Sequence, residues 1–151
     1  MIDQLVVRLS ELGQTMATAE SLTGGLVAAT VVDVPGSSKV LRGGLVVYAT
    51  DLKHSLAGVD SDLLAAEGPV SAAVAVSLAR GARSRCGADW GVATTGVAGP
   101  DSQDGVPVGT VFVAVSGPGV EEVRGLSLTG DRPTIRAAAV KAALSLLSDS
   151  L

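Results

Sequence analysis

Apolar positions along the chain follow two spacings, one typical of helices and one typical of strands. Ile2, Leu5, Val6, Leu9 and Leu12 recur at intervals of three and four, which predicts a first helix that ends before a glycine. The same reasoning predicts further helices over residues 26–34, 51–56, 60–66, 71–86 and 130–147. Runs rich in β-branched residues predict strands over 14–19, 43–49, 90–95, 108–116 and 121–128.

The order of these elements predicts an α/β fold. Strands that alternate with helices favour a three-layer α/β/α arrangement, in which a mixed, mostly parallel sheet has helices on both faces. The last two strands flank Gly117-Pro118-Gly119, and this short connection predicts an antiparallel C-terminal hairpin. The chain has 151 residues and no linker or repeat, so we expect a single domain over residues 1–151.

Composition and charge narrow the possible partners. Hydrophobic residues make up 47% of the chain but aromatic residues only 2%, which predicts a core of Val, Leu and Ala. The net charge is −4 and the basic residues form no stripe, so nucleic acid is not an expected partner. One or two well-placed arginines can nevertheless bind the single phosphate of a small nucleotide.

Other sequence features bear on compartment, membrane and metal. Cys86 is the only cysteine, so an intrachain disulfide is impossible, and no Cys/His cluster has the spacing of a metal site. No apolar run reaches the roughly 18 residues that a membrane span requires, and the N-terminus lacks the pattern of an export signal. We therefore expect a cytoplasmic protein with no membrane partner and no metal.

Three glycine-bearing loops, at residues 21–25, 95–99 and 130–132, lie where a predicted strand ends or a helix begins. Open α/β sheets bind ligands at such places, although each loop alone is more often structural. The chain lacks the P-loop pattern G-x-x-x-x-G-K-[ST], the dinucleotide fingerprint G-x-G-x-x-G and the nucleophile elbow G-x-S-x-G. A triphosphatase, a Rossmann dehydrogenase and an α/β-hydrolase are therefore disfavoured.

Lysine can activate a hydroxyl nucleophile when it is desolvated enough to be neutral. Lysine is scarce in this chain, and Lys53 lies five residues beyond Tyr48, close to the end of a predicted strand. We expect Ser38, Tyr48 and Lys53 to converge. The structural alternative, which the residue types alone favour, is that Ser38 caps a turn, Tyr48 ends a strand and Lys53 is solvated.

Six ordered motifs resemble the C-terminal domain of the competence/damage-inducible CinA family, whose stand-alone members act as nicotinamide-nucleotide amidohydrolases. The resemblance spans nearly the whole chain, and its motifs are Thr18-Ala19-Glu20-Ser21-Leu22-Thr23-Gly24-Gly25, Pro35-Gly36-Ser37-Ser38, Val47-Tyr48 with Lys53, Thr95-Gly96-Val97-Ala98-Gly99-Pro100, Pro107-Val108-Gly109-Thr110-Val111 and Gly130-Asp131-Arg132.

The resemblance implies hydrolysis of the carboxamide of nicotinamide mononucleotide (NMN) to nicotinate mononucleotide and ammonia, without a cofactor. It implies Ser38 as the nucleophile, Lys53 as its base and Tyr48 as a hydroxyl that orients or relays the proton, with Ser21 as the alternative nucleophile. Arg132, supported by Arg136, is the expected phosphate ligand. The full set of expected substrate-binding residues is Ser21, Thr23, Gly24, Thr95, Gly96, Arg132 and Arg136.

This chain differs from the family pattern at one position, and functions other than NMN hydrolysis stay open. The family often has Cys where this chain has Leu22, which favours a serine nucleophile. The long form of the family carries an additional N-terminal domain that resembles molybdopterin-binding proteins, and we expect this chain to be the stand-alone form. The main alternative is a non-catalytic nucleotide-binding or regulatory module, and a second is amidohydrolysis of a related amide. Pairing of sheet edges makes a homo-oligomer possible.

Overall fold

A computed structural model describes the chain from Met1 to Leu151. The helices are α1 Ile2–Leu12, α2 Leu26–Val32, α3 Thr50–Ser55, α4 Ser61–Glu67, α5 Ala72–Cys86 and α6 Arg132–Ser150. The strands are β1 Met16–Glu20, β2 Leu41–Val46, β3 Trp90–Gly96, β4 Thr110–Gly117 and β5 Val120–Ser127, and a 3-10 turn covers Ser37–Lys39. Every predicted helix and strand is present, and the bounds differ from the predicted ones by a few residues.

The strands form one five-stranded sheet in the order β2-β1-β3-β4-β5. β2, β1 and β3 are parallel, whereas β4 pairs antiparallel with β3 and β5 pairs antiparallel with β4. The predicted mixed α/β fold with a C-terminal hairpin is confirmed. Because two antiparallel pairings follow β3, β5 again runs in the direction of β3. The carboxyl ends of β1, β2, β3 and β5 therefore lie at the same edge of the sheet.

Helices cover both faces of the sheet. Side chains of α1, α2 and α6 pack with Met16, Trp90 and Val92 on one face. On the other face, α5 packs against small residues of the strands, among them Ala17 and Ala93. Side chains alternate between the two faces of a strand, which explains this division. The result is the predicted three-layer arrangement.

The face under α5 depends on residues without bulky side chains. A Cβ atom at Gly91 of β3 would collide with the backbone carbonyl of Ala79 in α5, so only glycine fits at this position. The close approach explains how a protein with few aromatic residues fills its interior.

No helix has the length and apolarity needed to cross a membrane.

Candidate active site

A polar pocket opens at the sheet edge where β1, β2, β3 and β5 end. Ser21 follows β1, Lys53 lies on α3 just after β2, and Thr95 and Gly96 belong to the last residues of β3. The segment 96–103 and the first residue of α6, Arg132, form the other side of the pocket. With Pro69 and Val70, which precede α5, five separate chain segments thus supply its lining, as is usual for ligand sites in open α/β sheets.

Lys53 is buried beside Ser21 at the bottom of this pocket. Its side chain is only 1% exposed, and Nζ lies 2.9 Å from Ser21 Oγ. The same nitrogen lies 2.8 Å from the carbonyl oxygen of Val47 and 3.2 Å from that of Tyr48. These are its only hydrogen-bond partners, and all three are uncharged oxygens.

Burial without a carboxylate partner shifts the proton affinity of Lys53. Desolvation disfavours the ammonium form and lowers the pKa of Lys53 from 10.5 to about 8. A neutral amine has two N–H donors and one lone pair. Its three contacts match this set, because two carbonyl oxygens can only accept and the Ser21 hydroxyl can donate. The geometry therefore allows Lys53 to accept the proton of Ser21.

Ser38 does not lie near Lys53, so the expected convergence of these two residues is wrong. Ser38 is exposed in the 3-10 turn before β2, whereas Lys53 follows the other end of that strand. The six residues of β2 separate the two ends by roughly 17 Å. Ser21, the alternative nucleophile of the sequence analysis, takes the place beside the lysine because parallel strands β1 and β2 end at the same edge.

The hydroxyl of Tyr48 does not contact the Ser21–Lys53 pair, contrary to the relay role expected for it. The ring is 61% exposed at the pocket rim, and its hydroxyl accepts a hydrogen bond from Arg132 Nη2 at 3.0 Å. Only the backbone carbonyl of Tyr48 meets the lysine. Arg132 Nη1 also donates to the Gly99 carbonyl at 2.6 Å, so this guanidinium joins the two sides of the rim.

The remaining predicted site residues divide into two groups. Thr95 and Gly96 line the pocket, and the Thr95 hydroxyl donates to the Pro69 carbonyl at 2.7 Å. Thr23, Gly24 and Arg136 lie behind the loop instead of lining the pocket.

Arg136 supports the loop and does not face the ligand space. Its Nε donates to the Leu22 carbonyl at 2.9 Å, and Nη2 donates to the Thr23 carbonyl at 3.1 Å. Both nitrogens therefore donate to backbone carbonyl oxygens of the segment that carries Ser21. The expected role of Arg136 beside the phosphate has no support in this geometry.

Two buried residues next to the pair received no role from the sequence. Glu20 is 1% exposed and directly precedes Ser21, and Thr94 is fully buried on β3. The signal for Glu20 was available, because an acidic residue at the end of a buried apolar strand must find hydrogen-bond donors. Thr94 carried no such signal, since threonine is common in strands.

Comparisons with known proteins agree with this architecture. The CinA C-terminal domain family matches residues 1–151. A CinA-like protein from Frankia casuarinae is 54% identical over 133 residues, which cover 88% of this chain and 31% of the relative. A putative competence-damage inducible protein from Desulforamulus reducens is 44% identical over 146 residues, covering 96% of this chain and 36% of the relative. The chain thus spans about a third of the length of these curated relatives.

Solved structures show the same fold. A CinA superfamily protein from Escherichia coli superimposes with a TM-score of 0.94 at 33% identity, covering 100% of this chain and 91% of that one. The competence/damage inducible protein CihA from Agrobacterium tumefaciens gives a TM-score of 0.92 at 35% identity, covering 98% and 94% of the two chains. By the full-length family match and these similarities, the chain belongs to the CinA C-terminal domain family.

Proposed function

We propose that this protein hydrolyses the carboxamide of NMN to nicotinate mononucleotide and ammonia, with Ser21 as the nucleophile and Lys53 as the general base. The observation that carries the proposal is the 2.9 Å contact between the buried Lys53 Nζ and Ser21 Oγ in the pocket. A hydroxyl beside a desolvated amine is an arrangement known to generate an activated nucleophile. Membership of the CinA C-terminal domain family supports the choice of substrate.

In the first half of the reaction, neutral Lys53 accepts the Ser21 proton while Oγ attacks the carboxamide carbon. The tetrahedral intermediate collapses as the C–N bond breaks, and the protonated Lys53 gives its proton to the departing nitrogen, which leaves as ammonia. The product of this step is an ester between the nicotinoyl group and Ser21. Lys53 is again neutral at its end.

In the second half, Lys53 accepts a proton from a water molecule as that water attacks the ester carbon. The bond between the acyl carbon and Ser21 Oγ breaks, and Lys53 returns the proton to Ser21. The net change is one amide and one water converted to one carboxylic acid and one ammonia. No redox step is needed, and the same base serves both halves.

The negative oxygen of the tetrahedral intermediate requires hydrogen-bond donors. The backbone N–H groups of Leu22, Ala98 and Gly99 donate to no acceptor within the protein, and all three residues line the pocket. Leu22 directly follows the nucleophile, a position that supplies an oxyanion donor in other hydrolases. We assign the stabilisation of this oxygen to these amides, each of which is typically equivalent to about 3 kcal/mol of barrier lowering.

Arg132 is the candidate ligand for the phosphate of the nucleotide. It stands at the pocket rim as the first residue of α6, so its guanidinium can donate to an anion at the pocket opening. Its two contacts with Gly99 and Tyr48 leave further N–H donors of the guanidinium unused. An anion at the rim would therefore find a preformed donor.

The deciding experiment measures ammonia release from NMN by the purified protein with chelator present, and with free nicotinamide and NAD as comparison substrates. We expect release from the mononucleotide to be much faster than from either comparison substrate and to be abolished in Ser21→Ala. Ser38→Ala is the matched control, because it removes the same hydroxyl from an exposed site outside the pocket. Full activity in Ser21→Ala would exclude the mechanism. Tight binding of NMN without ammonia release would instead favour the non-catalytic nucleotide-binding module.

A further inference from the structure

The carboxylate of Glu20 is buried among four hydrogen-bond donors. Oε1 accepts from the Thr23 hydroxyl and from the Val27 N–H, each at 2.7 Å. Oε2 accepts from the Ala28 N–H at 3.1 Å and from the Thr18 hydroxyl at 3.3 Å. An ionised carboxylate is an acceptor at both oxygens, so all four donors match it. Two of them belong to the first turn of α2, where a negative charge is also favoured by the helix dipole.

One of these contacts fixes the direction of a longer series of hydrogen bonds. The only hydrogen of the Thr23 hydroxyl goes to Glu20, so in the 2.8 Å contact between Thr23 and Thr94 the donor must be Thr94. The Thr94 oxygen in turn accepts from the Ser21 N–H at 3.4 Å, and the Thr94 carbonyl accepts from the same N–H at 3.1 Å. The hydroxyl chain therefore runs from Ser21 N–H through Thr94 and Thr23 to Glu20.

We propose that Glu20 is a positioning residue that holds the Ser21 hydroxyl against Lys53 through this hydroxyl chain. The proposal rests on the proposed roles of Ser21 and Lys53. Glu20 restrains the turn between β1 and α2 at both ends. Its carboxylate accepts hydrogen bonds from the start of α2, and the hydroxyl chain ends at the backbone N–H of Ser21. Neither Glu20 nor Thr94 lines the pocket, so neither touches a substrate there.

Only a carboxylate satisfies these contacts. In Glu20→Gln one side-chain oxygen becomes an NH2 group, which is a donor. Either orientation of the amide places this donor against a backbone N–H, that of Val27 on one side or that of Ala28 on the other. A hydroxyl can rotate away from such a conflict, whereas a backbone N–H in the first turn of a helix cannot. The start of α2 must therefore shift, and the turn that carries Ser21 shifts with it.

The test compares Glu20→Gln and Thr94→Val with the matched control Thr18→Val. Thr94→Val interrupts the hydroxyl chain at constant volume, whereas Thr18→Val removes a hydroxyl from the same carboxylate but outside the chain. The first readout is the rate at which a fluorophosphonate probe labels Ser21, followed by mass spectrometry. In this reaction Ser21 Oγ bonds to phosphorus, fluoride leaves and Lys53 takes the proton, so no natural substrate is needed.

We expect labelling to slow by roughly 100-fold in Glu20→Gln and Thr94→Val, because a displacement of about 1 Å has this effect on an aligned reaction. Turnover of NMN should lose kcat to a similar extent while KM stays within about twofold of wild type. The pH at which labelling is half-maximal should remain near 8, since the burial of Lys53 is unchanged. The control Thr18→Val should label at nearly the wild-type rate.

Labelling of Thr94→Val at the wild-type rate would overturn the positioning role, and so would an equal loss in Thr18→Val, which would indicate a general weakening of the core. If Glu20→Gln does not fold, Thr94→Val alone decides the matter. Labelling of the wild-type protein at Ser21 without ammonia release from NMN would refute the proposed function. The labelling rates of the variants would then still decide the positioning role of Glu20. A wild-type protein that is not labelled at Ser21 would refute the positioning role.

Discussion

The parallel strands and the antiparallel hairpin of this sheet place their charged side chains in contrasting environments. At the carboxyl ends of β1 and β2, Glu20 and Lys53 are each 1% exposed and have only neutral hydrogen-bond partners. Along the hairpin, Arg80 of α5 pairs with Glu121, and Arg124 pairs with Asp149 of α6, with every side chain at least 37% exposed. Oppositely charged side chains pair on the surface, whereas the ionisable side chains beside the pocket are buried without an oppositely charged partner.

This difference separates stability from function. A surface ion pair changes little when it is broken, because water replaces each partner. A buried ionisable group without a charged partner is unfavourable for folding, and such groups are found mainly at functional sites. The contrast therefore predicts that substitutions at the carboxyl ends of β1 and β2 strongly reduce catalytic activity, whereas substitutions of charged residues on the hairpin leave it nearly unchanged.

The largest effect should come from Lys53→Met, which keeps an unbranched side chain of similar length but removes the amine. We expect ammonia release from NMN to fall by about 1000-fold or more, because the proposed general base for both halves of the reaction is lost. Lys39→Met is the matched control, since Lys39 is exposed in the 3-10 turn before β2. A steady-state assay with both variants checks this. Retention of activity by Lys53→Met would show that the buried lysine is structural.

Replacement of Arg132 by alanine should affect substrate binding. Loss of hydrogen bonds to a charged phosphate should raise KM for NMN by about 10- to 100-fold with little change in kcat. Any slow hydrolysis of free nicotinamide, which lacks the phosphate, should be unaffected. Arg124→Ala is the control from the hairpin, where the guanidinium binds Asp149 and not the pocket. An equal loss of activity with NMN and with free nicotinamide would show that Arg132 stabilises the pocket rim and does not bind the phosphate.

Sequence patterns were sufficient for the elements and the fold but not for the serine that lies beside Lys53. Periodicity located the helices and strands because each buries one face, and the hairpin followed from Gly117-Pro118-Gly119. The family resemblance, together with the position of Ser38 before the strand that Lys53 follows, favoured Ser38 as the partner of Lys53. In the fold the intervening strand separates them, and a parallel neighbour brings Ser21 close. Contacts between parallel strands join residues that are distant in sequence, so a single chain offers no local signal for them.

The contacts of Tyr48 and Arg136 could not be predicted from the sequence either, because they also depend on the tertiary structure. The motifs identified both residues, but which atom of each makes contact depends on backbone direction and rotamer. The Tyr48 carbonyl, not its hydroxyl, meets Lys53, and Arg136 binds two carbonyls behind the loop. Glu20 was identifiable as an unusual buried acid. Its hydroxyl chain to Ser21 required Thr94 on another strand.

The buried lysine should also make stability depend on pH. Because the folded-state pKa of Lys53 is about 8 and the ordinary value is 10.5, the unfolded chain binds more protons between these values. Stability from this group is therefore fully present above pH 10.5 and is lost as the pH falls towards 8. Between pH 7 and 9.5 the free energy of unfolding should rise by about 2 kcal/mol. Denaturant titrations of wild type and Lys53→Met measure it, and an equal rise in the variant would assign it to other groups.

The smallest effect should come from the hairpin. The Arg80 guanidinium, through its hydrogen bonds, holds the pKa of Glu121 below its ordinary value, which on its own would suggest a stabilising pair. Both side chains are exposed, however, at 62% for Arg80 and 37% for Glu121, so water and salt screen the interaction. Glu121→Gln should lower the free energy of unfolding at pH 7 by less than about 1 kcal/mol, and less still in roughly 1 M salt. Activity should be unchanged. Thermal unfolding at both salt concentrations measures this, and a salt-independent loss above about 2 kcal/mol would mean that the exposed pair behaves like a buried one, which would remove the contrast between the two regions.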